Sequence, residues 1–183
     1  MYGIIGVSII VIIVLILAIA TYNALVNGRQ KVENSWGQIN VQLKMRADLV
    51  PNLVQTVSGY AKHEKETLTA VMEARNRFMK SGTPEAAMSS SGEISSLMGR
   101  LFAVSEQYPE LKADQNFLSL QNQLSEIETK ITMYRQFYND TVMMYNRLVI
   151  TFPKSIFAGI FGFHEIPYFQ VDQSERKAPK VEF

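Results

Sequence analysis

In a chain without cysteine, histidine is the residue type best suited to nucleophile activation or metal ligation, and this 183-residue sequence has two, His63 and His164. His63 is followed by Glu64, which opens the pattern in which two histidines one helical turn apart hold zinc while the glutamate activates a water. Thr67 stands where the second histidine would be. A zinc site would need a wholly different ligand set, with no thiolate to complete it. His63 therefore reads as a surface helix residue beside Lys62 and Lys65. Ser–His–Asp catalysis needs three side chains converging in a pocket, and two histidines in a helical chain give no sign of one. Tyr134, Tyr138 and Tyr145 recur at helical spacing, which assigns them to core packing with their hydroxyls at the bundle edge. No catalytic, cofactor-binding or metal-binding residue is assigned, so the expectation is a protein that is not an enzyme and has no cofactor.

Bulk composition narrows the partners. Lys and Arg number 18 against 17 Asp and Glu. That balance lacks the basic excess that attracts phosphate backbones, so no nucleic acid partner is expected. The absence of cysteine excludes disulfides without choosing between reducing and oxidising compartments. The length accommodates one membrane anchor and one further domain.

The elements that would position any site are helical. Phe117, Leu120, Leu124, Ile127, Ile131, Tyr134, Tyr138, Val142, Tyr145 and Val149 are separated by alternating threes and fours with one irregular step. This is a coiled-coil-like seam, with Gln121, Glu126, Glu128, Lys130, Arg135 and Asp140 on the outward face. A second periodic stretch, from Val32 through Trp36, Ile39, Leu43, Val50, Leu53 and Val57 to Phe78, reads as a long first helix. If continuous from Arg29 to Lys80 it would extend about 75 Å. Pro51 lies inside it and predicts a kink or short break near Asp48 to Pro51. Residues 80–92 (KSGTPEAAMSSSG) have the composition of a mobile connection. A shorter helix follows, with Ile94, Leu97, Met98, Leu101, Phe102 and Val104 on its apolar face, and Tyr108-Pro109 disfavours its continuation.

The C-terminal stretch is aromatic and broken by Gly159, Gly162 and Pro167, so it forms a short helix at best. Phe152, Ile156, Phe157, Ile160, Phe161, Phe163, Tyr168 and Phe169 are candidate interface residues, free to cap the bundle, dip into lipid headgroups or bind another subunit. Residues 170–183 are polar and expected to be poorly ordered.

Before all of this, residues 1–28 carry no charged side chain, and Ile4 to Ala20 is nearly all Ile, Val, Leu and Ala. Roughly 20 such residues cross a hydrocarbon core of about 30 Å. A cleaved signal peptide is the rival, since Ala18-Ile19-Ala20 resembles a cleavage site, but a basic leading region is missing and the apolar run is full length. Arg29, Lys31, Lys44 and Arg46 follow the span, which places the N-terminus outside and the domain in the cytoplasm. Ala20, Ala24 and Gly28 form a small-residue stripe of the kind that lets helices approach closely, although alanine is common enough to produce one without purpose.

Three stretches carry a resemblance to a family. YNALVNGRQKVENSWGQINVQLKMRADLVPNLVQTVSGYAKHE (Tyr22 to Glu64), LFAVSEQYPELKADQNFLSLQNQLSEIE (Leu101 to Glu128) and YNDTVMMYNRLVITFP (Tyr138 to Pro153) resemble, in order, the LemA family of bacterial membrane proteins. The resemblance implies an N-terminal anchor with a short external end and a helical bundle on the cytoplasmic side. It implies no catalytic residues, and nothing here resembles a kinase: there is no glycine-rich phosphate loop and no H-R-D or D-F-G set.

The sequence thus predicts an all-α protein: anchor 1–28, an elongated antiparallel bundle of about four helices over 29–169, and a tail 170–183. Its expected place is the bacterial cytoplasmic (inner) membrane, crossed once, in contact with membrane lipid. The expected function is a scaffold that self-assembles as a homo-oligomer or organises a membrane protein partner. Alternatives are an adaptor or regulator of a membrane enzyme such as a protease, and a membrane-remodelling protein.

Overall fold

The computed structural model describes residues 2–169, so the expectation for the tail 170–183 lies outside the described residues. These residues fold into helices alone: α1 (Tyr2–Tyr60), α2 (Lys65–Lys80), α3 (Pro84–Ser105), α4 (Pro109–Ala113), α5 (Gln115–Ile150) and α6 (Lys154–Phe161). They divide into two compact units, one of residues 2–37 with 136–168 and one of residues 38–135 with Phe169.

In the first unit α1 begins with the apolar run. From Tyr2 to Ala20 its side chains are exposed except Ala18, which is half-buried, and packing starts at Thr21 and Leu25. It is the one helix among the described residues long and apolar enough to cross a membrane. Beyond the run, α1 packs against the C-terminal half of α5. A Cβ on Gly28 would lie 3.2 Å from both Leu148 Cδ1 and Tyr145 Cδ2, and the Trp36 ring meets Tyr138 edge-on at 6.0 Å. Numbering rises along α1 as it falls along α5, so the pair is antiparallel.

In the second unit, α1 from Gln38 onward, α2, α3, α4 and the first half of α5 enclose a core. Ile39, Leu43, Val50, Leu53, Val57, Val71, Ile94, Leu101, Leu111, Phe117 and Leu124 are all sealed within it. The seam is confirmed: Phe117, Leu120, Leu124, Ile127 and Ile131 are buried here, as are Tyr138, Val142 and Tyr145 in the first unit. Asp114 starts α5 by accepting the Phe117 amide at 2.9 Å, and Tyr60, the last residue of α1, donates its hydroxyl to the same carboxylate at 3.0 Å. The amide first, then the hydroxyl, hold the Asp114 carboxyl below the usual carboxylate range.

Two sequence expectations are corrected. Of the kink or short break expected near Asp48 to Pro51, the break does not occur: α1 continues through Pro51 to Tyr60, and the interruption falls at Ala61 to Glu64. Proline cannot donate to the carbonyl four residues back, which here is Ala47. Arg75 of α2 supplies the missing donor, its Nε reaching the Ala47 oxygen at 3.4 Å. Arg75→Ala is therefore expected to cost about 1 kcal/mol, and less when Pro51→Ala has restored the backbone donor. Urea denaturation of the four proteins of that cycle checks this; an equal cost in both backgrounds would refute the bridging role.

The second correction concerns residues 80–92. Only Ser81 to Thr83 connect helices, and α3 starts at Pro84. Thr83 caps it, its hydroxyl accepting the Ala86 amide at 3.2 Å, with Pro84 and Glu85 in the first turn. The serines that suggested a loop lie inside α3, where Ser91 is buried and Arg77 of α2 pairs with Glu93.

Candidate functional site

His63 sits exposed in the turn between α1 and α2, at the rim of a solvent-open depression also lined by Glu64, Lys65, Thr67, Ala70 and Glu73. His164 is exposed as well. Among the described residues no group of three or more histidine, aspartate or glutamate side chains is placed to share a metal ion. The tyrosines have structural tasks. Tyr145 donates to the His164 carbonyl at 3.1 Å, and Tyr138 reaches the Pro167 carbonyl at 3.5 Å. Burial pushes the Tyr145 phenol up from its ordinary pKa.

Those bonds belong to a strap. After α6 the chain turns at Gly162, whose φ of 73° ends the helix in the left-handed conformation. The Phe163 amide then bonds back to the Ala158 carbonyl at 2.9 Å, a six-residue closure typical of helix ends. The following residues return along α5. Asn146, which is buried, grips Ile166 from both sides: its Nδ2 donates to the Ile166 carbonyl at 2.9 Å, and its Oδ1 accepts the Ile166 amide at 2.8 Å. Residues 164, 166 and 167 bind residues 145, 146 and 138 of α5, so the strap runs antiparallel to it.

α6 is consequently held at the turnaround, beside the end of the apolar run. Phe161 and Phe163 meet the Tyr22 ring edge-on at 5.2 and 5.9 Å. The candidate interface residues divide accordingly. Phe157 and Phe163 are half-buried, Phe157 stacking on Phe161 at 6.4 Å. Phe169 is buried, with the Arg135 guanidinium 5.6 Å from its ring centroid in the second unit. Phe152, Ile156, Ile160, Phe161 and Tyr168 are exposed. The small-residue stripe divides too: Ala20 is exposed, Ala24 is half-buried, and Gly28 packs against Tyr145 and Leu148 of its own chain. Its smallness at position 28 thus serves an internal contact.

The second unit holds a buried polar cluster that the sequence reading missed. Arg46 is only 1% exposed. Its Nη1 donates to Ser95 Oγ of α3 and to Glu128 Oε1 of α5, and its Nη2 donates to the Ser91 carbonyl, at 2.8 Å, and to Ser91 Oγ. Four of the five guanidinium N–H groups thus have acceptors on two helices. Nε, and Gln42 Oε1 one turn earlier, are buried without hydrogen-bond partners among the described residues. Glu128, expected on the outward face, turns in far enough to balance the charge, although it keeps 36% of its side chain in solvent. A signal for Arg46 was present: the apolar steps Ile39, Leu43, Val50 leave one turn unfilled, and Arg46 and Ala47 fill it. Arg46 is also not a free flanking charge, so the basic residues left to bias orientation are Arg29, Lys31 and Lys44.

A protein of Metamycoplasma hominis named LemA is 24% identical over 155 residues, covering 84% of this chain and 71% of its own length. A magnetosome protein of Magnetospirillum gryphiswaldense, MamQ, is 25% identical over 174 residues, covering 81% of this chain. The match spans 64% of that relative, and the same share of a MamQ protein of Paramagnetospirillum magneticum that is 23% identical. The LemA family profile matches residues 35–183, most of the sequence, and with the all-helical fold and the apolar N-terminal helix this shows that the chain belongs to the LemA family.

Proposed function

We propose that this protein is a non-enzymatic membrane scaffold, anchored once by the first turns of α1 with its bundle on the cytoplasmic side, that assembles with further copies or organises neighbouring membrane proteins. The observation that carries the proposal is a set of large apolar side chains along the C-terminal half of α5 that the other described residues leave exposed. Phe137, Met143, Met144 and Ile150 are each more than half exposed. Phe137 and Met144 lie seven residues apart, two turns along one side, and Met143 and Ile150 repeat that spacing on a second line, with the exposed Asp140 and Arg147 between the two. Large exposed apolar groups in line along a helix mark contact surfaces, and methionine adapts to more than one partner shape.

The test is the mass of the full chain in mild detergent by light scattering, beside the double variant Phe137→Ser with Met144→Ser. The expected result is an oligomer that falls to smaller species in the variant while helicity is retained. An assembly of unchanged size would remove these side chains from the account. A monomeric parent would favour a one-to-one adaptor, to be sought by crosslinking in membranes.

A further inference from the structure

We infer that α6 is an interfacial membrane helix, lying in the headgroup region of the bilayer that α1 crosses and presenting Phe152, Ile156 and Ile160 to lipid. The inference rests on the proposed crossing by α1 and adds a second, separate contact with the same membrane.

Placement comes first. The apolar run of α1 ends at Ala20, and Tyr22, in the next turn, is the residue that Phe161 and Phe163 touch. α5 ends close by, since Tyr145 and Leu148 pack on Gly28. The strap then leads away along α5 through His164, Ile166 and Pro167. α6 is thus the turnaround between two segments that both retreat from the apolar run.

Chemistry comes second. α6 is eight residues long, and Lys154 and Ser155 at its start are its only polar side chains. Ala158 is buried and Phe157 is half-buried, so the inner face is apolar. The outer face is apolar too: Ile156 and Ile160, one turn apart, are 54% and 70% exposed, and Phe152 just before the helix is 76% exposed. A short helix in water would carry polar residues on its outer side. Lipid is the surroundings that suits this one, with the apolar face sunk about 5–10 Å into the headgroup boundary. Lys154 and the exposed Arg147 at the end of α5 place basic groups at its rim, where anionic headgroups attract them. Tyr22 has the amphipathic ring found at such boundaries.

The full chain contains no cysteine, so single labels are clean. Ile9→Cys, Gln136→Cys, Ile156→Cys and Ile160→Cys would each carry an environment-sensitive fluorophore in nanodiscs of phosphatidylethanolamine and phosphatidylglycerol containing spin-labelled lipids. Gln136 is exposed on α5, about 21 Å along the helix from its end. Labels at 156 and 160 are expected to be quenched roughly threefold more than the label at 136 by lipids spin-labelled near the headgroup. The label at 9 should respond to lipids labelled deep in the chain. Quenching at 9 with none at 156 and 160 would overturn the inference and leave the crossing intact. Absence of quenching at 9 would overturn the crossing and the inference with it. Labels at 156 and 160 shielded from aqueous iodide yet untouched by lipid would overturn it in favour of a protein covering α6.

Discussion

Arg46→Ala is expected to destabilise the unit of residues 38–135 by about 3 kcal/mol, the low end of what breaking a buried ion pair costs. The low end applies because Glu128 keeps 36% of its side chain in solvent and can rehydrate when its partner is removed. Ser91 is buried and cannot, so its hydroxyl loses the donor that satisfies it, and its carbonyl keeps only its bond within α3. Arg46→Lys should recover little, because one ammonium cannot fork between Glu128 and Ser95 on one side and Ser91 on the other. Glu128→Gln keeps an acceptor in place and should cost less than Arg46→Ala. Urea denaturation of the full chain in detergent, followed by circular dichroism, ranks the three. If Arg46→Ala unfolded at the parent midpoint, the cluster would be a passenger of the packing.

The function of the cluster within the fold follows from which helices it joins. Apolar seams tolerate sliding, because one leucine resembles the next, whereas a guanidinium with acceptors on α3 and α5 is satisfied in one register only. Arg46 therefore specifies how α1, α3 and α5 align in that unit, which is the best-attested use of a buried polar group among apolar layers.

What was legible in the sequence was what repeats. The seam from Phe117 to Val149, the apolar run and the Tyr108-Pro109 boundary are periodic or punctuated signals, and each is found where expected. What was not legible depended on residues distant in sequence. Pro51 disfavours a helix by its own chemistry, and Arg75, on another helix, offers the Ala47 carbonyl a donor in place of the missing amide. The serines of α3 have loop composition, and only the guanidinium beside Ser91 explains a serine in the core. The strap left no periodicity, since its bonds run from carbonyls and an amide to Asn146 and two tyrosines. A polar residue at a position adjoining the seam, such as Asn146 next to Tyr145, was the available hint.

Asn146→Leu should release the strap and leave the unit of residues 38–135 intact. Leucine keeps the branched heavy-atom skeleton of asparagine, in a somewhat larger volume, but makes neither bond, so the amide and carbonyl of Ile166 both lose their partner. Two bonds at about 1 kcal/mol each, plus the penalty on a half-buried amide, give about 2–3 kcal/mol against the attached strap. Hydrogen exchange by mass spectrometry should show faster exchange across residues 162–168, with protection in α2 and α3 unchanged. Asn146→Asp adds a signature that a packing defect would not. At neutral pH its carboxylate still accepts the Ile166 amide but faces the Ile166 carbonyl with a second acceptor, which disfavours the charged form and raises the carboxyl pKa above its ordinary value of about 3.9. A group whose folded pKa is raised favours the folded arrangement below that pKa and loses the effect as pH rises through it. Strap protection in Asn146→Asp should therefore return on acidification, when the protonated carboxyl can donate to the Ile166 carbonyl as the amide did, while Asn146→Leu stays open at both pH values. If both variants exchanged like the parent, Asn146 would not be the clasp, and the position of α6 beside Tyr22 would rest on the aromatic contacts of Phe161 and Phe163 and on the bonds of Tyr138 and Tyr145 to the strap.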